Sequence, residues 1–177
     1  MAIVGQSIDN RLGDRITFRE TSQSSAGQLV AIDLVVAPGA GSPPLHVHTR
    51  QEESFTVVSG AVALTVDRKL KHLEAGESAT IPAGTPHTFG NGGESEALVV
   101  VELRPALEFE NFLAAVYGLQ AAGKTNSKGF PNPLQMAVIL AHHLPEYHLA
   151  KPPLLVQKTL LAIFAPIGRR AGYTPNP

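Results

Sequence analysis

Read as a pattern of hydrophobic and polar positions, the chain changes character once, at Arg104-Pro105. Before that point apolar residues alternate in short runs, the period of a half-buried β-strand. Arg15 to Glu20 is one such run, after a turn at Asn10-Arg-Leu-Gly13-Asp14. Gln28 to Ala37 is a longer one, with Val30, Ile32, Leu34 and Val36 on one face and Leu29, Ala31, Asp33 and Val35 on the other. Two largely apolar faces predict cover on both sides. Ala61 to Asp67, Leu70 to Glu74, Glu77 to Ile81 and Ala97 to Leu103 continue the series, separated by Gly, Pro and Asn-Gly turns. The serine-rich Thr21 to Gly27 reads as a flexible loop. Short strands at close spacing predict an antiparallel barrel or jelly roll over residues 1–105.

After Pro105 the period becomes helical. Leu107 to Tyr117 predicts a helix stopping before Gly118, Leu134 to His143 a second, and Leu154 to Ala165 a third, started by Pro152-Pro153. Residues 106–177 are therefore expected to form a helical extension with a loose tail, packed on the barrel or on a partner subunit. The third helix is apolar nearly all round. Twelve residues span about 18 Å, short of a bilayer core of about 30 Å, so no transmembrane segment is expected. A buried position against the barrel or a second chain is the main reading. A membrane-surface helix with Lys158, Arg169 and Arg170 on its polar side is the lesser one.

Two stretches inside the strand region carry the candidate chemistry, at 41–60 and 76–91. His46 and His48 are two apart and share a strand face. Thr49-Arg50-Gln51-Glu52 turns the chain, and Glu53 opens the next strand with Phe55 and Val57 on its own face. Pro82, Gly84 and Pro86 force a tight turn before His87, with Phe89 on the same face as His87.

These stretches resemble the two sequence motifs of the cupin superfamily, in its type-2, quercetin dioxygenase-like form. His46, His48, Glu53 and Gly60 match the first motif; Gly76, Pro82, Gly84, His87 and Asn91 match the second at every position. The departure is the opening glycine of the first motif, which falls on Ala40 between Gly39 and Gly41. The resemblance implies a double-stranded β-helix, or jelly-roll cupin barrel, with a C-terminal α-helical extension. It also implies one divalent metal held by His46, His48, Glu53 and His87. Three imidazoles and a carboxylate suit Fe, Mn, Ni, Cu or Zn without choosing among them. Phe55 and Phe89 are expected to give the pocket an apolar wall that favours a small organic substrate or ligand.

Composition narrows the classes. There is no Cys, which excludes disulfides and thiolate sites, and the net charge of −1 argues against a nucleic-acid groove. No basic region followed by an apolar run opens the chain, so a cytoplasmic setting is the expectation. Gln51 and Glu52 are weighed as an acid/base pair at the barrel mouth against a solvated turn, the stronger reading. Arg104 is weighed as a carboxylate anchor against a strand end, again the stronger. His142, His143 and His148 lack a carboxylate in register and read as surface or helix-end residues. Two functions remain: a metal-dependent, dioxygenase- or isomerase-like enzyme, and a ligand-binding or sensor protein without turnover. Apolar residues on both faces of the 28–37 and 97–103 strands, together with the apolar third helix, lead to an expected homodimer whose interface includes one of these strand faces, the C-terminal helices covering the remainder.

Overall fold

The computed structural model describes residues 2–40 and 42–177, so Gly41 at the entrance of the first motif lies outside it. Ten strands come first: β1 (Ser7–Asp9), β2 (Arg15–Glu20), β3 (Val30–Val36), β4 (His46–His48), β5 (Glu52–Ser59), β6 (Ala61–Val66), β7 (Lys69–Glu74), β8 (Ser78–Ile81), β9 (His87–Asn91) and β10 (Ala97–Arg104). Then follow α1 (Phe109–Ala121), α2 (Pro133–His143), the short strand β11 (Tyr147–Leu149) and α3 (Leu154–Arg170).

The strands form two antiparallel sheets, one ordered β1-β2-β3-β10-β5-β8 and the other β11-β4-β9-β6-β7. This is the expected β-helical barrel. Its core comes from the inward residues of the alternating runs, among them Phe18, Ile32, Leu34, Phe55, Val62, Leu64, Val101 and Leu103. Burying such side chains is the main force that closes the barrel. Gly60 has a positive φ of 74°, and a Cβ there would lie 2.6 Å from the Glu96 carbonyl oxygen, so only glycine fits the β5–β6 turn.

Several local expectations differ from the structure. The stretch before Arg15 contains β1, paired to β2 through Ile8 and Ile16. The Thr21–Gly27 loop is tied down. Ser22 donates from its backbone N–H and its hydroxyl to the buried carboxylate of Glu110, and Ala106 N–H donates to Gly27 carbonyl. These bonds fix the start of α1 against the barrel. The helix runs through Gly118, whose φ is not positive, to a stop at Gly123. Gly123 has φ of 68°, its N–H bonds Gln120 carbonyl, and Lys124 N–H bonds Leu119 carbonyl, the pair of bonds that closes a helix on a left-handed glycine. Asn132 caps α2 by accepting from Leu134 N–H at 2.9 Å, with Pro133 in the first turn.

The third helix continues past Ala165 and through Pro166 to Arg170. Close packing on α2 carries it: a Cβ on Gly168 would lie 2.7 Å from both the Leu134 carbonyl oxygen and Val138. The face turned inward is Gln157, Ala165 and Gly168, while Leu155, Val156, Leu160, Ile163, Phe164 and Ile167 are exposed. The single chain therefore does not bury this helix's apolar side. Gln157 pins its start, donating to the Leu149 and Pro152 carbonyls, each at 2.7 Å. The tail is also held, by Gln135 donating to Thr174 carbonyl at 2.7 Å. Among the described residues no helix is long and apolar enough to cross a membrane.

Candidate metal centre

The four ligand-type residues come from three strands, β4, β5 and β9, and meet inside the barrel. His46 and His87 are direct partners across β4 and β9, and Glu53, the second residue of β5, lies opposite Ile81 and Leu103. All four are buried, and one ligand atom from each lies within 4.8 Å of the other three.

The hydrogen bonds decide which imidazole nitrogen is free. His46 Nδ1 donates to Pro44 carbonyl at 2.8 Å and His87 Nδ1 to Thr85 carbonyl at 2.9 Å. His48 Nδ1 meets Gln51 Oε1 at 3.3 Å. Each Nδ1 thus carries its proton toward an oxygen, and each Nε2 is left to face the cluster. His48 Nε2 is buried with no hydrogen-bond partner and lies 3.5 Å from Glu53 Oε2. His87 Nε2 contacts the same oxygen at 2.5 Å. An orphaned buried nitrogen is costly unless something else binds it. Three inward Nε2 atoms and a carboxylate are a donor set that fits a divalent transition metal.

Electrostatics agree. Burial, with His87 nearby, pushes the His46 pKa down to about 3, and burial also lowers that of His48. Both are held as neutral ligands. For Glu53, burial alone would raise the pKa, but His48 and the bond to His87 outweigh it and keep the carboxyl ionised. Burial would lower His87, and the bond to Glu53 outweighs it, so His87 is raised. In the metal-free protein a proton on His87 Nε2 therefore occupies the Glu53 contact that an ion would take over.

Residues outside the two motifs complete the surroundings. Gln51, 1% exposed, is neither acid nor base: its Nε2 donates to the Pro105 and Ala106 carbonyls at 3.0 and 2.9 Å, and so its oxygen is aimed at His48. Glu52 is exposed, and Arg104 is exposed at the end of β10, beside Glu102. The β11 strand lies within the stretch read as a helical extension, yet it is an edge strand of the smaller sheet. It sets Tyr147 opposite His48 and Leu149 opposite His46, with the Tyr147 ring 5.1 Å from the His46 ring. Phe109, at the start of α1, packs edge-on against His48 at 4.8 Å. Neither residue stood out in sequence, because a three-residue strand has no period to read and Phe109 looks like any helix core position.

A cavity of about 250 Å³ opens beside the cluster, between the barrel and α1, and His46, Glu53, Phe89 and Tyr147 line it. Phe55 is fully buried behind Phe89, ring centroids 5.1 Å apart, and is not among the lining side chains. His143 is buried on α2 against Phe112, away from the cluster, and His142 adjoins it.

The likenesses to known proteins point the same way. The family model described as a cupin domain matches residues 33–103, a span that includes all four ligand-type residues. A quercetin 2,3-dioxygenase of Bacillus subtilis (strain 168) is 40% identical over 65 residues, which are 37% of this chain and 19% of that protein. The chain thus spans about a fifth of that relative's length. Among solved structures, KdgF from Halomonas sp. is 21% identical with a TM-score of 0.52, covering 59% of this chain and 90% of that one. An RmlC-like cupin from Shewanella frigidimarina is 21% identical with a TM-score of 0.50, over 60% of this chain and 88% of that one. A predicted oxalate decarboxylase from Thermotoga maritima is 17% identical with a TM-score of 0.50, over 58% and 93%. At these identities the structural likeness is one of fold. With the family match, the two-sheet barrel and the His-His-Glu-His cluster at the positions of both motifs, residues 33–103 of this chain form a cupin domain.

Proposed function

We propose that the chain is a metal-dependent enzyme, dioxygenase- or isomerase-like, acting on a small organic substrate in the barrel. The observation that carries this is the cluster itself: three Nε2 atoms with their Nδ1 partners already satisfied, and one ionised carboxylate, beside a covered cavity. His46, His48, Glu53 and His87 would hold the ion, which when bound supplies Lewis-acid polarisation of an oxygen ligand. Tyr147 lines the cavity near Glu53, and burial followed by that charge raises its pKa well above the ordinary value. Its hydroxyl stays protonated and can donate to a substrate oxygen. Phe109 and Phe89 exclude water from the same side. The local likeness to a protein named quercetin 2,3-dioxygenase favours oxygen-dependent chemistry.

A second reading, ligand binding without turnover, is favoured by one observation. The remaining carboxylate of the cavity, Asp14, is engaged by Asn10 and by Ala37 N–H rather than free to act as a base. Oxygen uptake by the metal-loaded protein with a panel of enediols and flavonols separates the readings. Metal-dependent uptake supports the enzyme; tight binding with no product supports the sensor.

The same proposal includes a homodimer. Val156, Leu160, Ile163 and Ile167 recur at four-three-four spacing on the exposed side of α3, the spacing of a helix–helix seam. A second copy would cover it about a two-fold axis. Light scattering should give twice the chain mass, and Ile163→Glu should give a monomer. A monomeric wild-type chain at micromolar concentration would refute the dimer.

A further inference from the structure

The cavity beside the metal centre has an outer mouth, which the cluster does not use. Along α1 the cavity runs from Phe109, whose ring packs on His48, to Gln120. Gln120 is eleven residues further on, about 16 Å along the helix axis. The wall between is apolar, with Ile32, Leu34, Val116 and Leu140 in it. At the Gln120 end the lining residues Leu12, Lys128 and Phe130 are exposed, so the cavity meets solvent there.

The loop at this mouth is held in place. Asn126 Oδ1 accepts from Lys128 N–H at 2.9 Å and from Phe130 N–H at 3.0 Å. Gln120 Nε2 donates to Gly129 carbonyl at 3.1 Å and ties the loop to α1. A Cβ on Gly129 would lie 2.6 Å from Leu12 Cδ1, so the turn before β2 packs directly on it. Charge at the mouth is one-sided. Lys124 and Lys128 lie in the loop, no Asp or Glu occurs from 120 to 132, and the Arg11 guanidinium lies against Gly123. Among the described residues none of these three cations is in an ion pair. The carboxylate that lines this end, Asp14, is buried, with its oxygens accepting from Ala37 N–H and Asn10. Unpaired cations at an apolar opening concentrate anions there. A lysine can also lay its stem along apolar surface and keep its ammonium at the edge.

We propose that the cavity takes an organic acid with an apolar body, which enters body first and leaves its carboxylate at the mouth against Lys128. Arg11 and Lys124 strengthen the field there without lining the cavity. A neutral polyol is disfavoured, because its hydroxyls would lose water without gaining partners along the apolar wall. An apolar cation is disfavoured by the charge of Lys128 itself. That such an acid is the substrate rests on the metal-centre reading above; its capture at the mouth does not.

The test is calorimetric binding to the full chain, loaded with zinc and again after chelator treatment. The probes are octanoate, 1-octanol, octylammonium and acetate. In both forms octanoate should bind about fivefold more tightly than 1-octanol, the yield of about one partly exposed ion pair, and octylammonium more weakly than either. In the chelator-treated chain acetate, which lacks the body, should bind at least about a hundredfold more weakly than octanoate. In Lys128→Met the octanoate preference over 1-octanol should fall to about one. In Lys128→Glu the order should reverse, with octylammonium ahead of octanoate, while 1-octanol keeps its wild-type affinity and so reports an intact cavity. An octanoate preference unchanged in both variants overturns the proposal. So does a preference seen only with zinc, which places the carboxylate on the ion, and so does failure of every eight-carbon probe to bind. A chain that takes up no zinc yet shows the preference, and loses it in Lys128→Met, supports the mouth and sinks the metal reading alone.

Discussion

Replacing Gln51 by Leu should weaken metal binding through a residue that is not a ligand. Gln51 makes three contacts at once: it accepts from His48 Nδ1 and donates to the Pro105 and Ala106 carbonyls. Leucine is close in size but leaves the His48 N–H and two carbonyls without partners in a site only 1% exposed. Groups left unsatisfied in such a place cost about 1–3 kcal/mol each, and some will reach water after relaxation, so a stability loss of about 2–4 kcal/mol is expected. Freed of its acceptor, the His48 ring can rotate and its Nε2 becomes a poorer ligand. Loss of such an orienting partner lowers metal affinity about 10–100-fold. Gln51→Glu separates the two effects. It keeps an acceptor for His48 but faces two carbonyls with a carboxylate, so it should lose stability while holding metal better than Gln51→Leu. Zinc affinity comes from competition with a chromophoric chelator, and stability from denaturant titration with metal bound and removed. A Gln51→Leu protein within about twofold of wild type in zinc affinity would refute the reasoning.

Three further outcomes are expected. Metal affinity should fall on acidification with a slope of about one proton near neutrality, because only His87 has a raised pKa, while His46, at about 3, and His48 stay neutral there; a slope of three, read from chelator competition at several pH values, would contradict this. His143, buried and lowered to about 4 by burial and then by His142, takes up its proton in the unfolded chain first as pH falls through about 6.5. Stability should thus decline between pH 6.5 and 4 by as much as about 3 kcal/mol from this residue, and denaturation of His143→Leu should show a shallower decline. Gly168→Val should destabilise the α2–α3 pair by about 1–3 kcal/mol, since even a Cβ there meets Leu134 backbone; an unchanged melting temperature would show that the helices can part at no cost.

The barrel and its four ligand-type residues were legible because period-two alternation and fixed motif spacing are local properties of the chain. What escaped the sequence depends on contacts between distant segments. β11 exists because Tyr147 and Leu149 pair with His48 and His46, a hundred residues earlier in the chain, and three residues carry no pattern of their own. Gly118 looked like a helix stop, yet glycine ends a helix only where a positive φ is taken, and that position is Gly123. The third helix read as ending at Ala165, but packing of Gly168 on α2 holds it through Pro166 to Arg170. Gln51 read as part of a solvated turn; its burial follows from the approach of Pro105 and Ala106, which no local rule predicts. Conversely, the apolar run of α3 suggested burial, and the fold leaves most of it exposed.

The most direct test of the account is elemental analysis of the protein purified without chelator, alongside His48→Ala and His142→Ala. The account predicts about one transition-metal ion per chain in the wild type and in His142→Ala, and far less in His48→Ala, whose missing Nε2 is one of the three that face Glu53. Equal metal in both variants, or a wild-type chain that takes up no ion even when incubated with excess divalent metal, would contradict it.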